Sequence, residues 1–194
     1  MTPLAGKHTF DEVFDSQKVY RLLLTAFANP PRTVNIKEYA DKLFGKQPEM
    51  LALAFTLLDN EVSFAVCGCD ALSDDIALLT LSAKASAQNA DYIFVTDAAL
   101  LEAAVTAAKC GTLRDPHKSA TVIVKNPGKP SVPLELAGPG IPGTVRIMGT
   151  ETVNTAIALR DAQNYEYPQG IDLLFVSEDG NLFAVPRLVG KDVR

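Results

Sequence analysis

Several signals are missing from this sequence, and each absence narrows what the chain can do. No stretch approaches the ~20 consecutive apolar residues of a membrane span. The opening residues, Met1 to Lys7, lack the apolar core of a secretory leader. The formal charge is −5, so the basic surface that a nucleic-acid footprint requires is missing. No G-x-x-x-x-G-K-[ST] loop occurs anywhere, which removes the commonest nucleotide-phosphate cradle. Cysteine is scarce: three residues, Cys67, Cys69 and Cys110. An odd count without a secretory signal reads as reduced thiols in a cytoplasmic protein.

What is present suffices for a stable globule. Apolar residues make up 47% of 194, which argues against disorder. A chain of this size buries roughly 70% of its unfolded surface without staples. There is no internal repeat and no long linker, so residues 1–194 read as one domain.

The final stretch, from Tyr167 to Arg187, organises the rest. Leu173 to Val176 and Leu182 to Val185 are apolar runs of strand length, with Asp179-Gly180 between them, the pattern of a hairpin. The first strand is apolar on both faces: Ile171, Leu173 and Phe175 on one, Leu174 and Val176 on the other. Such a strand is usually covered on both sides by helices. Upstream, helices are predicted over 10–28, 48–58, 73–81, 98–109 and 150–161. Strands are predicted over 32–36, 63–67, 92–96, 120–124, 134–137 and 145–148, and residues 125–133 form a turn-rich connection. The first helix is read with Phe10, Val13, Phe14, Tyr20, Leu24 and Phe27 as its apolar stripe and Thr9 as its cap, with Glu12 completing a capping box. Ser73, with Asp74 and Asp75, is read as the start of the third helix. Strands alternating with helices predict a three-layer α/β sandwich with a mixed sheet.

Candidate chemistry is thin. Gly138-Pro139-Gly140-Ile141-Pro142-Gly143 fits G-x-G-x-x-G, but two prolines remove backbone donors and a strand follows instead of a helix, so it reads as a turn. Cys67 and Cys69 share a face if their strand continues, yet the spacing is not that of a zinc site. His117, in a polar loop, is either a general base or a solvated loop residue; no nucleophile stands beside it in sequence. Asp172 and Arg187 lie near the open ends of the hairpin. They read either as a charge pair tying the sheet or, for Arg187, as a planar fork for phosphate or carboxylate. Arg21 and Asp59 are weaker ligand or interface candidates. No catalytic, cofactor-binding or metal-ligating residue emerges from the residues alone.

These stretches, taken in order, carry a resemblance. Tyr167-Pro168-Gln169-Gly170-Ile171-Asp172-Leu173 with Val185-Pro186-Arg187 is similar to an aromatic-P-x-G-I-D segment and closing P-R. Gln17 through Pro30 (with Arg21, Leu23 and Asn29-Pro30), Leu57-Leu58-Asp59-Asn60, Gly111-Thr112 with Pro116 and Ala120-Thr121, and Leu134 through Ile141 follow collinearly. Together they resemble the H-subunit (PhnH) family of the bacterial carbon–phosphorus lyase system of phosphonate catabolism. The resemblance implies a fold like the large domain of pyridoxal-phosphate-dependent transferases, without the cofactor; Lys109, Lys118 and Lys125 have no recognisable pyridoxal context. It implies a cytoplasmic homodimer and a core complex with the G, I and J subunits. That complex activates phosphonates by displacing adenine from ATP. The radical step, with S-adenosylmethionine and an iron–sulfur cluster, belongs to the J subunit. The expected role is a structural or auxiliary subunit without its own cofactor. The alternatives are a binding or auxiliary catalytic domain for a nucleotide, phosphonate or ribose phosphate, and an orphaned pyridoxal enzyme.

Overall fold

The computed structural model describes residues 8–126 and 128–191. The leader reading of Met1 to Lys7 therefore lies outside the described residues, as does Pro127 in the predicted connection. A seven-stranded sheet forms the centre, in the order β1-β9-β8-β5-β4-β2-β3. Its strands are β1 (Val34–Asn35), β2 (Ser63–Cys67), β3 (Ala83–Lys84), β4 (Tyr92–Val95), β5 (Thr121–Lys125), β8 (Asp172–Val176) and β9 (Asn181–Val185). β2, β3, β4, β5 and β8 run parallel; β9 is antiparallel to β8, and β1 to β9. The sheet is mixed, as its sequence predicts.

Each central strand is apolar on both sides because each side is covered. α1 (Phe14–Ala28), α2 (Lys37–Ala40), α3 (Pro48–Leu57) and α4 (Asp70–Thr80) lie on one face, where Phe64, Phe94, Ile123, Leu174 and Val176 point. α5 (Leu101–Ala107) and α6 (Glu151–Asp161) lie on the other, over Ile93, Val122, Leu173 and Phe175. The alternation read from β8 thus assigns its side chains to the correct layers. A second, three-stranded antiparallel sheet adds to the α6 side: β10 (Gly190–Lys191), β6 (Val132–Ala137) and β7 (Thr144–Gly149), in the order β10-β6-β7. Residues 138–143 form the hairpin turn between β6 and β7.

Local chemistry explains where helices begin. Thr150 caps α6, its hydroxyl accepting from the Val153 N–H at 3.3 Å. Asp97 accepts from the Ala99 N–H at 2.9 Å at the turn that leads into α5. Pro48 opens α3 at the position proline favours. Two predicted starts are corrected. α1 begins at Phe14, and its cap is Asp11, whose Oδ1 accepts from the N–H of Val13 (2.9 Å) and Phe14 (2.8 Å). A carboxylate placed there meets two free N–H groups and the positive helix end, so it prevails over Thr9. α4 begins at Asp70, not Ser73, because the chain turns at Gly68 and the Ser73 N–H already bonds the Cys69 carbonyl at 3.2 Å.

The stripe predicted for α1 holds at Phe10, which is buried before the helix begins, and in part at Phe27, which packs against the core; the rest is corrected. Its buried residues are Asp15, Val19, Leu23 and Ala26. Val13, Phe14, Tyr20 and Leu24 face solvent, with 70%, 66%, 48% and 51% of their surface exposed. The helix is apolar on two sides, and only the side with smaller residues meets the sheet.

Candidate functional site

The Tyr167–Arg187 stretch folds into a knot at the amino ends of β5 and β8. Asp172 opens β8, opposite Thr121 of β5. Arg187 follows Pro186, just past the end of β9. Antiparallel pairing of Leu173 with Val185 brings the two together. The Asp172 carboxylate accepts from Arg187 three times: from its backbone N–H at 2.8 Å, Nε at 3.3 Å and Nη2 at 2.6 Å. Arg187 Nη1 donates to the Pro116 carbonyl. Both side chains are mostly buried.

Neighbouring loops close on the pair. The Gln169 side-chain amide donates to the Gly111 carbonyl at 2.9 Å, and the Gly170 N–H donates to the Cys110 carbonyl at 3.0 Å. Gly170 sits at φ +142°, where a side chain would be strained and its Cβ would lie 3.1 Å from the Arg187 Cβ. Gly111, Pro116, Gln169, Gly170, Asp172 and Arg187, separate in sequence, are therefore one hydrogen-bonded node. Every donor of the Arg187 fork described here points to protein, and no nucleophile–base pair stands at the node. Its chemistry is that of a clamp.

Arg21 and Asp59 are not part of the clamp. Arg21 is exposed on α1, and Asp59 is exposed in the turn after α3, where its Oδ1 accepts from the Glu61 N–H at 2.8 Å. Tyr92, at the amino end of β4, links the region electrostatically. Burial, and then the negative charge of Asp91, Asp59 and Asp172 and the Tyr20 phenol, push the Tyr92 hydroxyl above its ordinary value. Burial, with Cys110 nearby, also pushes the Tyr165 phenol up to about 12.

The remaining candidates stand apart. His117 is exposed in a short turn, Pro116–Lys118. β2 ends at Cys67, and Gly68 turns the chain at φ +106°, so the condition for Cys69 to share the face of Cys67, a strand that continues, is not met. All three cysteines are free thiols, half-buried, and burial raises the Cys67 thiol. Among the described residues, no group of three or more His, Cys, Asp or Glu side chains converges as metal ligands would. Nor is any helix there long and apolar enough to cross a membrane.

Two features escaped the sequence reading. Arg160 is 1% exposed and donates to the carbonyls of Val185, Pro186 and Val189 and to Asp161, holding α6 against the end of β9. Its signal was its place on the spacing Val153, Ala156, Ile157, Arg160, which is the buried face of α6. The second is the outer face of α1. Val13, Gln17, Tyr20 and Leu24 are exposed and alternate in steps of four, three and four, the seam spacing of helices that pack on other helices, while Phe27, next in the spacing, packs against the core.

A model of the bacterial phosphonate metabolism protein (PhnH) family matches residues 8–190, nearly the whole chain. No curated protein matches the sequence.

Proposed function

The chain belongs to the PhnH family of bacterial phosphonate metabolism proteins, and from that premise we propose that it is an assembly subunit of the carbon–phosphorus lyase core complex. In this reading residues 1–194 act as one cytoplasmic domain. It forms a homodimer when alone and joins the G, I and J subunits, which carry out phosphonate activation and cleavage.

The observation that carries the proposal is the exposed seam of α1. Contiguous apolar patches of this kind on a soluble chain mark interaction surfaces. The Asp172–Arg187 region, by contrast, is built as a clamp. The reading keeps the likeness to the large domain of pyridoxal-phosphate-dependent transferases, without the cofactor, as part of the proposal, and the three lysines considered for a pyridoxal role stand in ion pairs. Lys109 is paired with Asp91 at 2.6 Å, Lys118 with Asp115 at 3.2 Å and Lys125 with Glu178 at 2.8 Å. The alternative of a phosphorylated-ligand domain took its motive from Arg187, whose fork is taken up by Asp172 and Pro116.

Co-expression with the G, I and J subunits tests the proposal. Co-purification of all four supports it, as does loss of this chain from the complex when Leu24 is replaced by lysine. A chain that never associates, and whose deletion leaves growth on phosphonates unchanged, overturns it.

A further inference from the structure

The five parallel strands lie in the order β3-β2-β4-β5-β8, so the winding direction reverses between β2 and β4. Open α/β sheets bind ligands at such a reversal, beyond the carboxyl ends of the strands. In this chain that crevice is filled. The Thr96 N–H and hydroxyl both donate to the Cys67 carbonyl, at 2.9 and 3.1 Å. A Cβ at Gly68 would lie 2.8 Å from both Thr96 Oγ1 and the Asp97 Cβ, so the two loops are already in contact.

Space opens one step aside, where the first turns of α4 meet the loop before α3. A cleft of about 300 Å³ lies there, lined among others by Phe44, Gln47, Leu51, Cys69, Leu72 and Asp75. That volume is at the lower end of small-molecule sites, room for a ring system and little more. The walls are mainly apolar. Gln47 precedes α3 without capping it through its side chain, and its Oε1 is enclosed with no hydrogen-bond partner among the described residues. Enclosed carboxamide oxygens normally have one. Rotation of the side chain toward the cleft lets this oxygen accept from an occupant that offers a donor in place of water. Asp75 adds a carboxyl raised by burial and by the charge of Asp74, which opposes an anion despite Lys46 at the rim.

We propose that this cleft binds a small, uncharged, flat-ringed molecule carrying an N–H donor, received by Gln47 against the Phe44, Leu51 and Leu72 walls. The assignment stands independently of the assembly role and fails or succeeds without it. Cys69 reports occupancy. Alkylation of the native protein by N-ethylmaleimide, read by peptide mass spectrometry, is followed with indole or with 1-methylindole, which lacks the donor. Indole is expected to slow alkylation of Cys69 and not of Cys110, and 1-methylindole to need about tenfold more for the same protection. Gln47→Leu is expected to remove that difference. Unprotected Cys69, equal protection by the two probes, or a difference that persists in Gln47→Leu overturns the assignment. Should the variant not fold, the comparison of the two probes on the unaltered chain decides by itself.

Discussion

Asp172 receives Arg187 through both carboxylate oxygens, at 3.3 Å from Nε to Oδ1 and 2.6 Å from Nη2 to Oδ2. The pair joins the first residue of β8 to the residue that follows β9, so it fixes the register of the hairpin as well as its ends. Removing the cation strands a mostly buried carboxylate. Arg187→Met is expected to cost about 2–3 kcal/mol, read as a lower urea midpoint. Arg187→Lys is expected to recover less than half of that loss, because a point charge cannot serve two carboxylate oxygens and the Pro116 carbonyl together.

Asp15 and Lys42 make the stability of the α1 layer depend on pH. Burial alone would raise the Asp15 carboxyl, but the Asp11 N–H, and Lys42 at 2.8 Å from both oxygens, hold it below its ordinary 3.8. Asp91, held by Lys109 and Ser63 against its own burial, shifts the same way. A carboxyl lowered in the folded state contributes stability above its unfolded pKa and loses it as pH falls through the folded value. Urea midpoints are therefore expected to be flat from neutrality to about pH 5 and to fall below that. Lys42→Met is expected to lower the midpoint at neutral pH and to make that fall shallower, because without the lysine burial raises the folded Asp15 carboxyl back toward its unfolded value. An acid limb identical in the variant and the unaltered chain would contradict the assignment.

Much of this architecture was legible because it depends on period and punctuation. The two-sided apolar run of β8 gave its layers, the cap at Thr150 gave the start of α6, and Asp179-Gly180 gave the hairpin turn. The clamp was legible as a choice between pair and ligand fork, since Asp172 is a carboxylate inside an apolar strand. Other features depend on which of two comparable faces docks. In α1 the large side chains Phe14, Tyr20 and Leu24 dominate the sequence signal, yet Val19, Leu23 and Ala26 are buried, because small residues let a helix lie close to a sheet. The buried Asp15 on that inner face has its partner 27 residues away, at Lys42, and the sequence alone gives no hint of it. The small sheet was missed in part because β10 is only two residues long.

Arg160 does for α6 what Arg187 does for the hairpin, with backbone carbonyls in place of most of a carboxylate. It is fully enclosed, and three carbonyls at the β9–β10 turn have its guanidinium as donor. Arg160→Met keeps the volume and removes those donors, so that of the three carbonyls Pro186 keeps the Val189 N–H while the others lose the guanidinium. The expected loss is about 3–5 kcal/mol by urea unfolding, larger than for Arg187→Met, because Arg160 is less exposed than the clamp. Arg160→Lys is expected to stay near the methionine variant, since one ammonium cannot span carbonyls set to receive a planar fork.

The outer face of α1 separates stability from assembly. Leu24 and Tyr20 are about half exposed and contribute little to the core, so Leu24→Lys and Tyr20→Lys are expected to change unfolding free energy by no more than about 0.5 kcal/mol. The same changes place charge in the middle of a seam spaced for helix packing. Sedimentation velocity of the purified chain is expected to show a dimer for the unaltered protein and a monomer for either variant. Leu23→Ala, one residue from Leu24 but 2% exposed, is expected to do the reverse: a loss of about 2–4 kcal/mol from the core with the dimer retained wherever the chain is folded. A dimer that survives both lysine variants would move the contact to another surface and leave the seam of α1 without a role in self-association.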